Sequence, residues 1–177
     1  MQTNIKHIFI FFLLISSRIS FAQLTTNTGT NPQALVQNTL IGPGVTVSNI
    51  TFNGSPSSIG SFSGTGTNLG IANGIVMTTG TVFDNGSGPH GPNNQANAGQ
   101  INGGAGSTLL SGIIGGGQTY DAAILEFDFI PYSDTVRFKY VFGSDEYPEF
   151  APPNNSGYND VFGFFIAVPG ITGLQNI

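Results

Sequence analysis

The segment from residue 145 to 160 holds the densest group of oxygen-bearing side chains in a chain with only 7% charged residues. Carboxylate and amide oxygens are the ligands that the hard cation Ca²⁺ prefers in proteins. The composition therefore predicts a loop-borne calcium site, although its spacing matches no EF-hand. A solvated acidic loop, or carboxylates that cap backbone N–H groups, is the open alternative. The predicted metal ligands are Asp145, Glu146, Glu149 and Asp160, with three asparagines interspersed.

Two tyrosines flank these carboxylates and predict a contact with a ligand. The chain contains no tryptophan, so tyrosine rings are the platforms on which a sugar could stack. Tyr147 and Tyr158 are the predicted ligand-binding residues, and packing at a sheet edge is their alternative role.

Catalysis by this segment is the alternative functional hypothesis. A pair of carboxylates can hydrolyse glycosidic bonds, which would make Glu146 or Glu149 the acid or base of a secreted polysaccharide-active hydrolase. The chain has no cysteine, which excludes thiol nucleophiles and thiolate metal sites. Glycine-flanked serine elbows and phosphate-binding loops are also absent from the sequence. We therefore expect a chain that is not an enzyme.

The first 22 residues are typical of a secretory signal peptide. Lys6 supplies the positive region, an apolar run covers residues 8–15, and small residues occupy Ser20 and Ala22. The apolar run is shorter than the ~20 residues that span a bilayer. We expect residues 1–22 to be removed and residues 23–177 to form a single domain.

The mature chain is acidic. From Gln23 onward the chain has two basic and nine acidic residues, a formal net charge of −7. Nucleic acids and anionic membranes both require clusters of Lys and Arg, so neither is an expected partner. No later stretch is apolar and long enough to be a transmembrane helix. Cations, glycans and extracellular proteins are the expected partners.

Short alternating segments separated by turn residues predict an all-β fold, either a β-sandwich or a jelly roll. Strands are predicted at residues 45–52, 59–62 and 74–79. Asn31 followed by Pro32 predicts one short N-terminal helix, because Asn caps helices well and Pro favours their first position. Residues 84–117 are predicted to be a long surface loop rich in Gly and Asn.

The segment from residue 122 to 142 predicts a β-hairpin. In the favoured register, Asp128 faces Arg137 and Glu126 faces Lys139, so both basic residues of the mature chain have acidic partners. A Greek-key pairing remains the alternative.

Residues 161–168, VFGFFIAV, are apolar at nearly every position. This composition predicts a central strand that is buried on both faces.

Several blocks of this sequence resemble the choice-of-anchor L family and follow one another in the same order. The specific blocks are SDEYPEF and YNDVFGFF, within residues 137–170. The supporting blocks are GIVMTTG (74–80), GPNN (91–94) and AILEFDFIP (123–131). Together the resemblance extends from about Val45 to Ile177.

This resemblance implies an exported bacterial surface protein of the Bacteroidetes type. It also implies that anchoring depends on a C-terminal region beyond Ile177. The family supplies no catalytic residues to transfer. The sequence thus predicts a secreted or cell-surface interaction or adhesion module, with calcium as its possible cofactor and an extracellular protein or glycan as its partner.

Overall fold

The computed structural model of the chain describes residues 24–28, 31–82, 101–144, 150, 153 and 159–177. The strands within these residues are β1 (Thr25–Thr28), β2 (Val45–Asn53), β3 (Ile59–Ser63), β4 (Asn73–Met77), β5 (Ile124–Pro131), β6 (Phe165–Ile166) and β7 (Gln175–Asn176). The helical elements are α1 (Pro32–Leu35), a π-helical turn (Val36–Leu40), a 3₁₀ turn (Pro56–Ser58) and α2 (Thr108–Ile113).

The described strands form antiparallel sheets, so the predicted all-β class is confirmed. Strands β1, β3 and β4 form one sheet in that order, β2 pairs with β5, and β6 pairs with β7. All four of these strand pairings are antiparallel. The arrangement of the sheets as a sandwich or jelly roll stays a prediction.

The N-terminal helix begins where the sequence predicts. The Asn31 side chain accepts a hydrogen bond of 2.9 Å from the backbone N–H of Gln33, and Pro32 occupies the first turn. This cap satisfies a backbone donor that has no partner within the helix. The helix buries Leu35 and Val36, which are 1% and 0% exposed. These two side chains start the core, which Ile59 and Val82 extend.

Strand β2 contains a β-bulge that changes which side chains face inward. The register with β5 shifts between Ser48 and Thr51, and Asn49 lies at a φ of 51°. With strict alternation, the side chains of Val47 and Ile50 would point to opposite faces of the sheet, yet both are half-buried. The extra residue of the bulge reverses the parity, so the apolar residues before and after it share one face.

Strand β5 pairs with β2, and the predicted hairpin within residues 122–142 is wrong. Val47 lies opposite Phe129 on the apolar face of this ladder. On the polar face, Asn49 Nδ2 donates a hydrogen bond of 2.6 Å to Asp128 Oδ2. An amide on β2 therefore takes the place predicted for Arg137.

The pairing also displaces the second predicted ion pair. Glu126 lies opposite Thr51 rather than Lys139. Residues 135–144 belong to no strand in the described part of the chain. The physical reason for this pairing is that β2 and β5 pair along residues 45–53 of β2. At most positions of this register, apolar side chains lie opposite apolar ones and polar side chains opposite polar ones.

The C-terminal apolar segment differs from its prediction. Within residues 161–168 only β6, Phe165–Ile166, is a strand, and it pairs with the short strand β7. Phe162 is 43% exposed, so the segment is not a fully buried central strand. Its aromatic residues lie against residues 138–142 instead.

The predicted long loop contains a short helix. Helix α2 starts after Ser107, whose hydroxyl accepts from the backbone N–H of Leu110. The two apolar islands of the loop, residues 108–110 and 113–114, thus belong to one helix and its C-cap. The part of this loop before residue 101 lies outside the described residues.

Candidate functional site

One of the four predicted calcium ligands lies within the described residues. Asp160 is half-buried, and its Oδ2 accepts a hydrogen bond of 3.3 Å from Ser144 Oγ. This contact brings together the two residues that bound the acidic segment. The other predicted site residues, Asp145, Glu146, Glu149, Tyr147 and Tyr158, lie outside the described residues. Among the described ones, no group of three or more His, Cys, Asp or Glu side chains could hold a metal.

One surface feature is a row of five aromatic rings contributed by two extended segments. Phe138 packs against Phe164 at 4.4 Å between ring centroids, and Phe142 packs against Phe162 at 5.8 Å. Later residues of the first segment meet earlier residues of the second, so the two segments run antiparallel. We call this set the aromatic row: Phe138, Tyr140, Phe142, Phe162 and Phe164.

Tyr140 lies at the centre of the aromatic row. Its ring stacks on Phe162 at 5.6 Å with an interplanar angle of 23°, and meets the edge of Phe164 at 5.3 Å. Rings in these offset and edge-on geometries attract one another by ~0.5–1.5 kcal/mol per pair beyond the area they bury. The row is therefore an ordered surface rather than a scatter of separate side chains.

The aromatic row is largely open to solvent. Phe138, Tyr140 and Phe142 are 50%, 60% and 51% exposed. Isolated exposed apolar residues are ordinary, but a contiguous apolar patch marks a site of interaction. Val136 extends the patch at 45% exposure.

Sequence reasoning missed this surface although its signal was present. Aromatic residues at positions 138, 140 and 142 recur with a period of two, which places them on one face of an extended chain. The same period appears at 162 and 164. Both patterns predicted burial, because apolar alternation does not distinguish a face covered by protein from one that is open.

Two basic residues border the aromatic row. Arg137 and Lys139 are exposed and alternate with the ring-bearing residues along the first segment. Neither forms an ion pair with a described residue. This edge therefore carries two positive charges in a chain whose formal net charge is −5.

A concave feature lies at the end of β2. A cleft of about 330 Å³ opens between the β2 end and the segment from Asn102 to Gly106. The residues that line it are mostly small or polar: Asn53, Gly54, Ser55, Asn102, Gly104, Ala105, Gly106, Asp121, Ala122 and Ile124.

Asp121 and Gly104 close one side of this cleft. Asp121 has a φ of 51°, a left-handed conformation that Asp tolerates better than most residues. Its backbone N–H donates to the carbonyl of Gly104 at 3.2 Å, and its Oδ1 accepts from the Gly104 N–H. The Asp121 carboxylate is thus oriented by its own backbone partner. No signal in the sequence would have singled out this residue.

No curated protein matches the chain, and no solved structure does either. Within the described residues, no helix is both long enough and apolar enough to cross a membrane. A family model described as the Choice-of-anchor L domain matches residues 23–177, well over half of the chain. The chain therefore belongs to the Choice-of-anchor L domain family, which associates it with the cell surface.

Proposed function

We propose that this chain is a cell-surface adhesion module whose aromatic row binds an extracellular protein. The observation that carries the proposal is the row itself, in which five rings contact one another while three of them remain at least half exposed. Exposed aromatic side chains that are held in place by their neighbours lose little conformational entropy on binding. Such residues are the ones that supply most of the energy of protein interfaces.

The chemistry of the aromatic row favours a protein partner over a glycan. Four of its five side chains are phenylalanine, and Tyr140 alone carries a polar atom. A sugar stacked on such a surface would find few groups to hydrogen-bond its hydroxyls. The exposed cations Arg137 and Lys139 beside the row complement a partner that presents apolar side chains next to carboxylates. Charges at the edge of an interface raise the association rate and make it depend on salt.

Binding of the labelled protein to intact cells of the producing strain tests this proposal. We expect saturable binding that a Tyr140→Ser/Phe162→Ser variant weakens by at least about tenfold, because central aromatic residues dominate interface energy. Tyr132→Ser is the matched control, since Tyr132 is 73% exposed and lies outside the row. This control should bind like the wild type.

Treatment of the cells separates the two classes of partner. Protease treatment should abolish binding, and periodate oxidation of glycans should leave it intact. Binding that survives protease, or a double variant that binds as tightly as the wild type while retaining the wild-type circular dichroism, would contradict the proposal.

We further propose that the acidic segment binds Ca²⁺ through Asp145, Glu146, Glu149 and Asp160. The supporting observation is the Ser144–Asp160 hydrogen bond of 3.3 Å. Because this bond joins Ser144, directly before the segment, to Asp160 at its end, it restricts how far the two ends of the segment can separate. A bound cation here would stabilise the surface next to the aromatic row, since Ser144 follows Phe142 by two residues.

A further inference from the structure

The cleft at the end of β2 is separate from the aromatic row and from the acidic segment. None of its lining residues belongs to either set. Its volume of about 330 Å³ lies at the lower end of the ~300–1,000 Å³ range of small-molecule sites. We propose that this cleft binds one neutral sugar residue.

Backbone forms much of the cleft wall. A Cβ atom added at Gly106 would collide with the carbonyl oxygen of Thr119, and one added at Gly54 would approach the Ala122 carbonyl oxygen at 3.0 Å. Only glycine fits these close approaches. Gly54, Gly104 and Gly106 are exposed, so a ligand in the cleft can meet their peptide groups, which hydrogen-bond hydroxyls well.

Two side chains of the lining retain free hydrogen-bonding capacity. Asp121 Oδ1 is occupied by the Gly104 N–H, whereas Oδ2 accepts no hydrogen bond from a described residue. The Asn53 side chain likewise has no hydrogen-bond partner among the described residues and can both donate and accept. A carboxylate oxygen and an amide that line the same cleft suit the hydroxyls of a sugar, because the carboxylate accepts from one hydroxyl and the amide can donate to another.

The remaining polar lining residues hold the shape of the cleft. Asn102 donates to the carbonyls of Thr79 and Gly80 and accepts from the hydroxyl of Ser57. Ser55 and Ser57 share a hydrogen bond of 2.7 Å. Since these groups are already satisfied, the cleft keeps its form without a ligand, which lowers the entropic cost of binding.

Charge decides between a neutral ligand and an ion. Among the described residues of the lining, Asp121 alone is charged, and its carboxylate repels phosphates, sulfates and uronates. Calcium takes six to eight oxygen ligands and usually several carboxylates, and one carboxylate supplies too few. A neutral sugar fits this lining, because its hydroxyls can donate to the Asp121 carboxylate and can donate to or accept from the Asn53 amide.

Titration of the ¹⁵N-labelled protein tests the proposal. The probes are glucose, galactose, mannose and N-acetylglucosamine, added one at a time, and the amide resonances of Gly104 and Gly106 report occupancy of the cleft. We expect at least one sugar to shift these resonances saturably. Asp121→Asn should weaken that binding by about tenfold, because a hydrogen bond to a charged acceptor is lost.

Asp121→Asn is expected to fold, because Asn tolerates the left-handed conformation and its Oδ1 can still accept from Gly104. Asp134→Asn removes a carboxylate outside the cleft and should leave sugar binding within twofold of wild type. The aromatic-row variant Tyr140→Ser/Phe162→Ser should bind the sugar normally, so the two proposals can fail separately.

Three outcomes would overturn the assignment. The first is that none of the four sugars shifts the Gly104 and Gly106 amides. The second is equal sugar affinity in the wild type and in Asp121→Asn. The third is a saturable shift of the same amides by CaCl₂ alone, which would assign the cleft to a cation instead.

Discussion

At the scale of single residues, Asn102 makes the largest set of long-range side-chain hydrogen bonds around the cleft. Its amide nitrogen donates to Thr79 O at 2.9 Å and to Gly80 O, and its Oδ1 accepts from Ser57 Oγ at 2.9 Å. Asn102→Ala removes all three hydrogen bonds, and the carbonyls of Thr79 and Gly80 lose this donor in a partly buried place. We expect the free energy of unfolding to fall by about 1–3 kcal/mol, measured by urea denaturation.

Asn73→Ala is the matched control for Asn102→Ala. Asn73 is exposed at the start of β4, and its side chain hydrogen-bonds to no described residue. Its replacement should change the unfolding free energy by no more than about 0.5 kcal/mol. Equal losses in the two variants would show that the Asn102 hydrogen bonds contribute nothing specific.

The difference between Asn31 and Asn102 shows what sequence can predict at this scale. Asn31 caps a helix through a partner two residues away, and local patterns reveal such roles. Asn102 bonds to groups 22 to 45 residues away. Only the fold brings those partners together, so no local pattern points to it.

At the scale of elements, two glycines with opposite surroundings test how the strands and helices pack. A Cβ on Gly60 of β3 would collide with the backbone carbonyl of Asn27 in β1 and approach Val82 Cγ1 at 3.2 Å. Gly60→Ala should therefore push β1 away and cost about 1–3 kcal/mol. Gly112 lies in α2 with nothing within 4 Å of an added Cβ.

Gly112→Ala is thus expected to stabilise the chain by about 0.5–1 kcal/mol, because alanine favours helices. Thermal melting of both variants measures the two effects. Opposite shifts of the melting midpoint support the described packing of β1 on β3, whereas a neutral or stabilising Gly60→Ala would refute it.

Most element positions, but not their partners, could be predicted from the sequence. The helix at Pro32 and the strands β2, β3 and β5 lie close to their predicted ranges. The pairing of β5 was predicted with the wrong segment, because a turn signal and four charges favoured its sequence neighbour. The bulge at Asn49 could not be predicted either. One inserted residue reverses which side chains of β2 face inward, and the composition of the strand does not reveal it.

At the scale of the whole molecule, the candidate surfaces differ in whether the sequence alone could predict them. The acidic segment was predicted from composition alone. The aromatic row requires two segments that lie more than 20 residues apart in sequence to meet, as Phe138 and Phe164 do. The cleft requires the β2 end, residues 102–106 and Asp121 to converge. Composition identifies ligands that are clustered along the chain, whereas surfaces assembled from distant segments need the fold.

Calcium binding by the acidic segment would act on the stability of the whole chain. Carboxylates held together in a chain of formal net charge −5 repel one another, and a bound cation removes that repulsion. After treatment with EDTA, added Ca²⁺ at 100 times its Kd should stabilise the fold by about 2.7 kcal/mol. For a domain of this size, that corresponds to a rise in the melting midpoint of roughly 5–10 °C.

A rise in the melting midpoint could come from a specific calcium site or from general screening of the negative charge. Two controls distinguish these explanations. Mg²⁺ at the same concentration should raise the midpoint far less, because it demands a tighter octahedral arrangement of ligands. Asp160→Asn should lose most of the calcium effect, while Glu126→Gln on the exposed face of β5 should keep it. An unchanged midpoint with Ca²⁺, or equal shifts with Ca²⁺ and Mg²⁺, would exclude the proposed site and leave the acidic segment as a solvated loop.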